Sequence, residues 1–198
     1  MTLLLRFSNL IDWLDAHLGA FLKWLILGSV LVSGGNAIVR KAFDLGSNAF
    51  LELQWYLFAA VFMLGAGYAF LRNAHVRIDF VSSRLSPQAR NWIDIVGIVV
   101  FLLPLCALLV KLGWPLFARA YESGEMSQNA GGLIRWPVML LIPLGMAILL
   151  VQAVSELIKR IAFLRGLIPD PLAHLEPGQQ HGEEAARAEA TAQQGAAR

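Results

Sequence analysis

The sequence predicts an all-α integral membrane protein: four transmembrane helices plus an N-terminal interfacial amphipathic helix. Three observations lead there. Of the 198 residues, 57% are hydrophobic and only 15% charged, whereas a soluble domain carries about 25% charge. Four apolar stretches, residues 20–39, 50–71, 93–112 and 136–158, each reach the roughly 20 residues that cross a hydrocarbon core. Trp24, Trp55, Trp92, Trp114 and Trp136 fall near the ends of those stretches, where a half-wet indole ring is favoured.

Residues 1–19 come first. Leu3, Leu4, Phe7, Leu10, Ile11, Leu14 and Leu18 recur at helical spacing, opposite Arg6, Asp12, Asp15 and His17. That pattern is an amphipathic helix, expected to lie along the membrane surface with Trp13 at the interface. Its acidic residues and the lack of a small-residue cleavage site argue against a signal peptide. The first span then carries Ser29, Ser33 and Ala37 beside Gly34 and Gly35, and the second carries Ala59, Ala66 and Gly67. Small residues at such spacing let helices approach closely, within this bundle or against a second membrane subunit. Asn36 is placed to hydrogen-bond across helices.

Ser86 can cap the third span and Pro87 fits its first turn, where no backbone donor is needed. Pro104 lies mid-span and is expected to bend it. Pro137 opens the fourth span and Pro143 kinks it. The membrane domain thus covers residues 20–168. From Pro169 the composition shifts to Pro, Gln, Glu, Ala and Gly, which predicts a disordered cytoplasmic tail over 169–198.

Basic residues orient the chain. Arg6, Lys23, Arg72, Arg77, Arg84, Arg90, Lys159, Arg160 and Arg165 share the side of both termini, against Arg40, Lys41, Lys111, Arg119 and Arg135 on the other. The positive-inside rule therefore puts the N- and C-termini in the cytoplasm.

Several function classes lose support at this point. Sixteen Lys and Arg against fourteen Asp and Glu leave a net charge of +2 with no basic run, which argues against nucleic acid binding. The single cysteine, Cys106, sits in an apolar run and is a packing residue. His17, His75, His174 and His181 lie outside the spans, where they cannot project into a bundle to ligate a haem. No catalytic motif is present, so no enzymatic activity, metal or cofactor is expected. The span centres carry no ionisable residue, and charged side chains at that depth are the usual sign of an ion or proton path.

Glu52 stands in the first turn of span two, beside Gln54 and Trp55. It either complements the helix dipole and pairs with Arg40 or Lys41, or contacts a partner protein. Asp94, four residues after Arg90, has the spacing of an ordinary helix-surface pair. The loop from Tyr121 to Arg135 carries Glu122, Glu125 and Asn129 as further polar candidates, and Gly124, Gly131 and Gly132 suggest a shaped turn.

Residues 51–95, LELQWYLFAAVFMLGAGYAFLRNAHVRIDFVSSRLSPQARNWIDI, and residues 124–145, GEMSQNAGGLIRWPVMLLIPLG, resemble the small membrane subunit of tripartite ATP-independent periplasmic (TRAP) transporters, the DctQ-like family. The resemblance extends to about Pro171 and includes the four-span layout. It implies a small permease subunit in a bacterial inner membrane, joined to a large multi-span permease subunit and a periplasmic solute-binding protein. Such a subunit steadies the scaffold while the large one imports an organic acid, of the 2-oxoacid, lactate or C4-dicarboxylate kind, with sodium. Within that frame Glu52, Gln54, Trp55, Glu122, Glu125, Asn129 and Arg135 are candidate partner contacts. His75, Arg77 and Asp79, in HVRID, form a candidate structural turn between spans two and three. The reading from a different class is a membrane anchor for a respiratory or redox enzyme, which would need cofactor ligands.

Overall fold

The computed structural model describes residues 2–44, 46–73 and 85–171. Four helices in it are long and apolar enough to cross a membrane. They are α1 (Thr2–Phe43), α2 (Asn48–Leu71), α3 (Pro87–Ser123) and α4 (Trp136–Leu164). α4 is the central element and packs against the other three, while α2 also packs along α1. The candidate turn His75, Arg77 and Asp79 lies outside the described residues, as does the tail from residue 172.

α1 differs from the expectation of a surface helix followed by a separate span. It is one helix of 42 residues, about 63 Å at 1.5 Å per residue, or twice a hydrocarbon core. Gly19, the natural breaking point, is held inside the helix because the Tyr68 ring packs on it. A Cβ there would stand 2.6 Å from ring carbons. The polar side of the N-terminal half is also turned opposite to the usual case. Ser8 and Asp15 are buried with Ile11 and Leu22, whereas Leu3, Phe7, Leu10 and Leu14 are exposed.

Glycines set the helix contacts. A Cβ on Gly145 of α4 would come 2.5 Å from the Met63 carbonyl oxygen of α2, and one on Gly113 of α3 would come 3.1 Å from the Pro143 ring of α4. Gly67 does the same for α2, meeting both Asp15 of α1 and Ile148 of α4. The stripe expected on span two is thus used inside the bundle through Gly67. On span one, a Cβ added at Gly34 or Gly35 would meet nothing within 4 Å, and Ala37 is exposed.

α3 begins as its sequence indicates. The Ser86 hydroxyl accepts from the Ala89 amide at 3.3 Å, with Pro87 in the first turn. Its middle holds a π-helical turn, Ile98–Leu102, in which the Leu103 amide donates to the Ile98 carbonyl five residues back. Pro104 explains the wider turn: it has no amide to donate, and in a regular α-helix its ring would crowd the Val100 carbonyl. After α4 the chain turns back on α3. Asn91 Nδ2 donates to Asp170 Oδ1 at 2.9 Å, and Arg90 stands 3.8 Å from Asp170 Oδ2. The first residues of the segment expected as a tail from residue 169 thus touch α3 through Asp170.

Candidate functional site

Polar chemistry gathers at the two ends of the bundle. At the loop end, α3 stops on Gly124, whose φ of 61° is the left-handed value that closes a helix. The following loop folds on itself. The Ser127 amide donates to the Leu133 carbonyl at 2.9 Å, and the Arg135 amide to the Glu125 carbonyl at 2.9 Å, around a single antiparallel bridge between Met126 and Ile134. Gly131, with φ 70°, makes the reversal, and the Gly132 amide donates to the Asn129 carbonyl at 3.0 Å.

One face of α2 holds this loop. Asn48, Glu52 and Tyr56 stand four residues apart and so project in line. Asn48 Nδ2 donates to the Ala130 carbonyl at 3.0 Å, and the Tyr56 hydroxyl to the Ile134 carbonyl at 3.3 Å. Glu52 between them accepts from the Ser127 hydroxyl, from Asn129 Nδ2 at 2.8 Å and from the Leu133 amide at 2.7 Å. Gly132 leaves room for this, since a Cβ would lie 2.5 Å from Ser127 Cβ and 2.8 Å from Glu52 Oε1. Glu52 is therefore a clamp for the loop, a role the sequence did not reveal, because its partners lie 75 to 81 residues away.

The other candidates at this end separate into two groups. Asn129 belongs to the clamp, and Arg135 forms an ion pair with Glu125 across the loop. Trp55 is 73% exposed, Glu122 is exposed and Gln54 is half-buried. Beside them Trp114, Phe117, Tyr121 and Trp136 form a chain of ring contacts, with centroids 5.5 to 6.4 Å apart.

The terminal end is built from charges. Asp12 of α1 accepts from Ser155 Oγ at 2.9 Å, from Lys159 Nζ at 2.9 Å and from Gln152 Nε2 at 3.1 Å, all on α4. The Ser8 and Ser155 hydroxyls meet at 2.7 Å. Lys159 also pairs with Glu156, which stands 3.4 Å from Arg160, and Arg160 reaches Asp94 of α3 at 2.9 Å. Gln152, Ser155 and Arg160 are fully buried and Glu156 is 2% exposed. Asp94 thus does more than the helix-surface spacing to Arg90 suggested, because it ties α3 to α4. The signal was present in the sequence. Gln152, Ser155, Glu156, Lys159 and Arg160 recur at three- and four-residue spacing on one face of the last span.

Among the described residues no group of three His, Cys, Asp or Glu is placed to hold a metal ion. His17 lies against Trp13 with ring centroids 4.0 Å apart and planes tilted by 41°, and its Nδ1 lies 2.8 Å from the Trp13 carbonyl. His75, His174 and His181 lie outside the described residues. What the arrangement does is fix helices and one loop relative to one another.

Comparison with protein families gives a match. A family described as tripartite ATP-independent periplasmic transporters, DctQ component, matches residues 29–163. The matched stretch contains the whole loop end and the α4 half of the terminal end, and leaves out Ser8, Asp12 and Asp15. Comparisons with curated proteins and with solved structures gave no match.

Proposed function

The chain belongs to the DctQ family, the small membrane component of TRAP transporters, and from that premise we propose that it is a fixed scaffold for the large permease subunit. In this reading the assembly imports an organic acid, delivered by a periplasmic binding protein, with sodium. The chain resides in a bacterial inner membrane with both termini in the cytoplasm, so the terminal end is inner and the loop end outer.

The observation that carries the reading is the segregation of charge. Residues 24–39, 53–71, 95–110 and 136–155, a long apolar stretch in each of the four helices, contain no Asp, Glu, Lys, Arg or His. An organic anion or a sodium ion crossing there would exchange its hydration for hydrocarbon, at a cost of several kcal/mol or more. The tight glycine contacts at Gly145, Gly113 and Gly67 point the same way, since close-packed helices have little room to open a path. Binding, coupling and movement therefore belong to the partner.

The outer loop supplies the contact for the binding protein. Glu52 and Asn129 shape it from within, while Trp55, Glu122 and the Glu125–Arg135 pair face outward. A pre-shaped loop binds without first losing conformational freedom, which favours a docking surface over a flexible tether.

Co-expression with the large subunit tests the proposal. The two should copurify, and sodium-dependent uptake in proteoliposomes should require both. Failure to copurify, or full uptake without this chain, would overturn it. Charge reversal at Glu122 and Glu125 should weaken docking of the binding protein, and unchanged affinity would remove the loop from that interface.

A further inference from the structure

Resting on the reading that the termini are cytoplasmic, we propose that the N-terminal half of α1 is a lipid-binding element, its outward face seated on anionic phospholipids of the inner leaflet. The first ground is the face left open. Its polar side is taken up by the bundle, where Ser8 and Asp12 are bonded to α4 and Asp15 is packed against Gly67 of α2. The opposite side presents Leu3, Phe7, Leu10 and Leu14, one per turn, at 52 to 77% exposure. A helix facing water is turned the other way.

The second ground is charge complementarity. The acidic residues of this stretch point inward: Asp15 is 4% exposed, and Asp12 is held by Lys159. The charged side chains left on the surface are Arg6 and Lys23, both basic. An apolar stripe with Arg6 beside it and Lys23 exposed farther along the helix, its carboxylates withdrawn, matches the acyl boundary and phosphate layer of an anionic leaflet.

Continuity is the third. The exposed stripe passes through Phe21 and Trp24 into the membrane-crossing half of the same unbroken helix. One side of α1 thus presents apolar surface to lipid along its full length, and the inner half exceeds what a hydrocarbon core needs.

The test uses the full chain assembled with its large subunit in nanodiscs of phosphatidylcholine, with and without phosphatidylglycerol. A spin label at Leu10→Cys, in a Cys106→Ser background, should be relaxed by oxygen and not by a water-soluble nickel chelate. Relaxation by the chelate would overturn the proposal by placing the face in water, and protection from both reagents would overturn it by placing a protein there. Arg6→Gln with Lys23→Gln should lower co-purified phosphatidylglycerol by about fivefold per charge removed. Unchanged retention, in protein whose thermal unfolding matches the parent, would overturn the anionic preference. Failure of the topology reading is separately visible: a membrane-impermeant thiol reagent that labels Leu3→Cys only from the periplasmic side would overturn the inner-leaflet assignment whatever the nanodiscs report.

Discussion

The loop end and the terminal end of the bundle solve the same problem, fastening helices to one another, with opposite chemistry. At the loop end one carboxylate, Glu52, gathers three neutral donors from a loop at the protein surface. At the terminal end carboxylates and cations alternate from Asp12 through Lys159, Glu156 and Arg160 to Asp94, with Glu156 and Arg160 at the centre buried. Removing a partner has different consequences in the two places. Water can replace a lost partner at the loop, whereas a buried charge left alone has nothing to replace its partner.

The largest expected effect follows directly. Arg160→Met takes the buried cation from between Glu156 and Asp94, leaving Glu156 with Lys159 as its remaining cation, and should destabilise the bundle by about 3–5 kcal/mol, seen as a lowered midpoint of thermal unfolding in detergent. Adding Asp94→Asn to Arg160→Met should restore part of the loss. If the double variant is no better than the single one, the terminal end is not a charge-balanced network.

Gly132→Ala comes next. Its Cβ would meet Ser127 Cβ at 2.5 Å, so the clamp must give way, at about 1–3 kcal/mol of local strain. The damage should appear as faster amide exchange in residues 125–135 with the terminal end unchanged. Ser155→Ala removes hydroxyl contacts to Ser8 and Asp12 while leaving Lys159 and Gln152 on the carboxylate, and should cost about 1 kcal/mol in the same unfolding measurement. The smallest global effect is expected from Glu52→Gln. It should leave the unfolding midpoint in place while exchange at the Leu133 amide rises, and an unfolding shift as large as that of Arg160→Met would erase the distinction between the ends.

The same contrast explains what the sequence revealed. Four spans were legible because length and apolar composition alone place a helix in a bilayer. The start of α3 was legible from Ser86 and Pro87, and Pro104 marked the irregularity, though not that it takes the form of a π turn. The outward turn of α1 was not legible. Amphipathic spacing gives two faces without saying which medium each meets, and the rule that polar residues face water fails where α4 supplies Ser155, Lys159 and Gln152. Nor does Gly19 disclose that Tyr68 will hold it helical. At the loop end the sequence offers Glu52 either as a pair for Arg40 or Lys41 or as a partner contact, and Asn129 as a partner contact, whereas both hold the loop from within. Their hydrogen bonds close between residues some 75 to 81 positions apart, and local pattern carries no information at that range. Asp94 shows the same limit, since its spacing to Arg90 is visible in sequence and its bond to Arg160 is not.

A bundle fastened at both ends should behave as one rigid body while its partner moves. Spin labels at Glu122→Cys and Ile161→Cys, in a Cys106→Ser background, report the distance between the two ends in the assembled transporter. A fixed scaffold predicts one unchanged distance without ligand, with sodium, and with sodium and substrate together. A shift of more than about 2 Å on adding substrate would show that this chain moves with the transport cycle and would contradict the account.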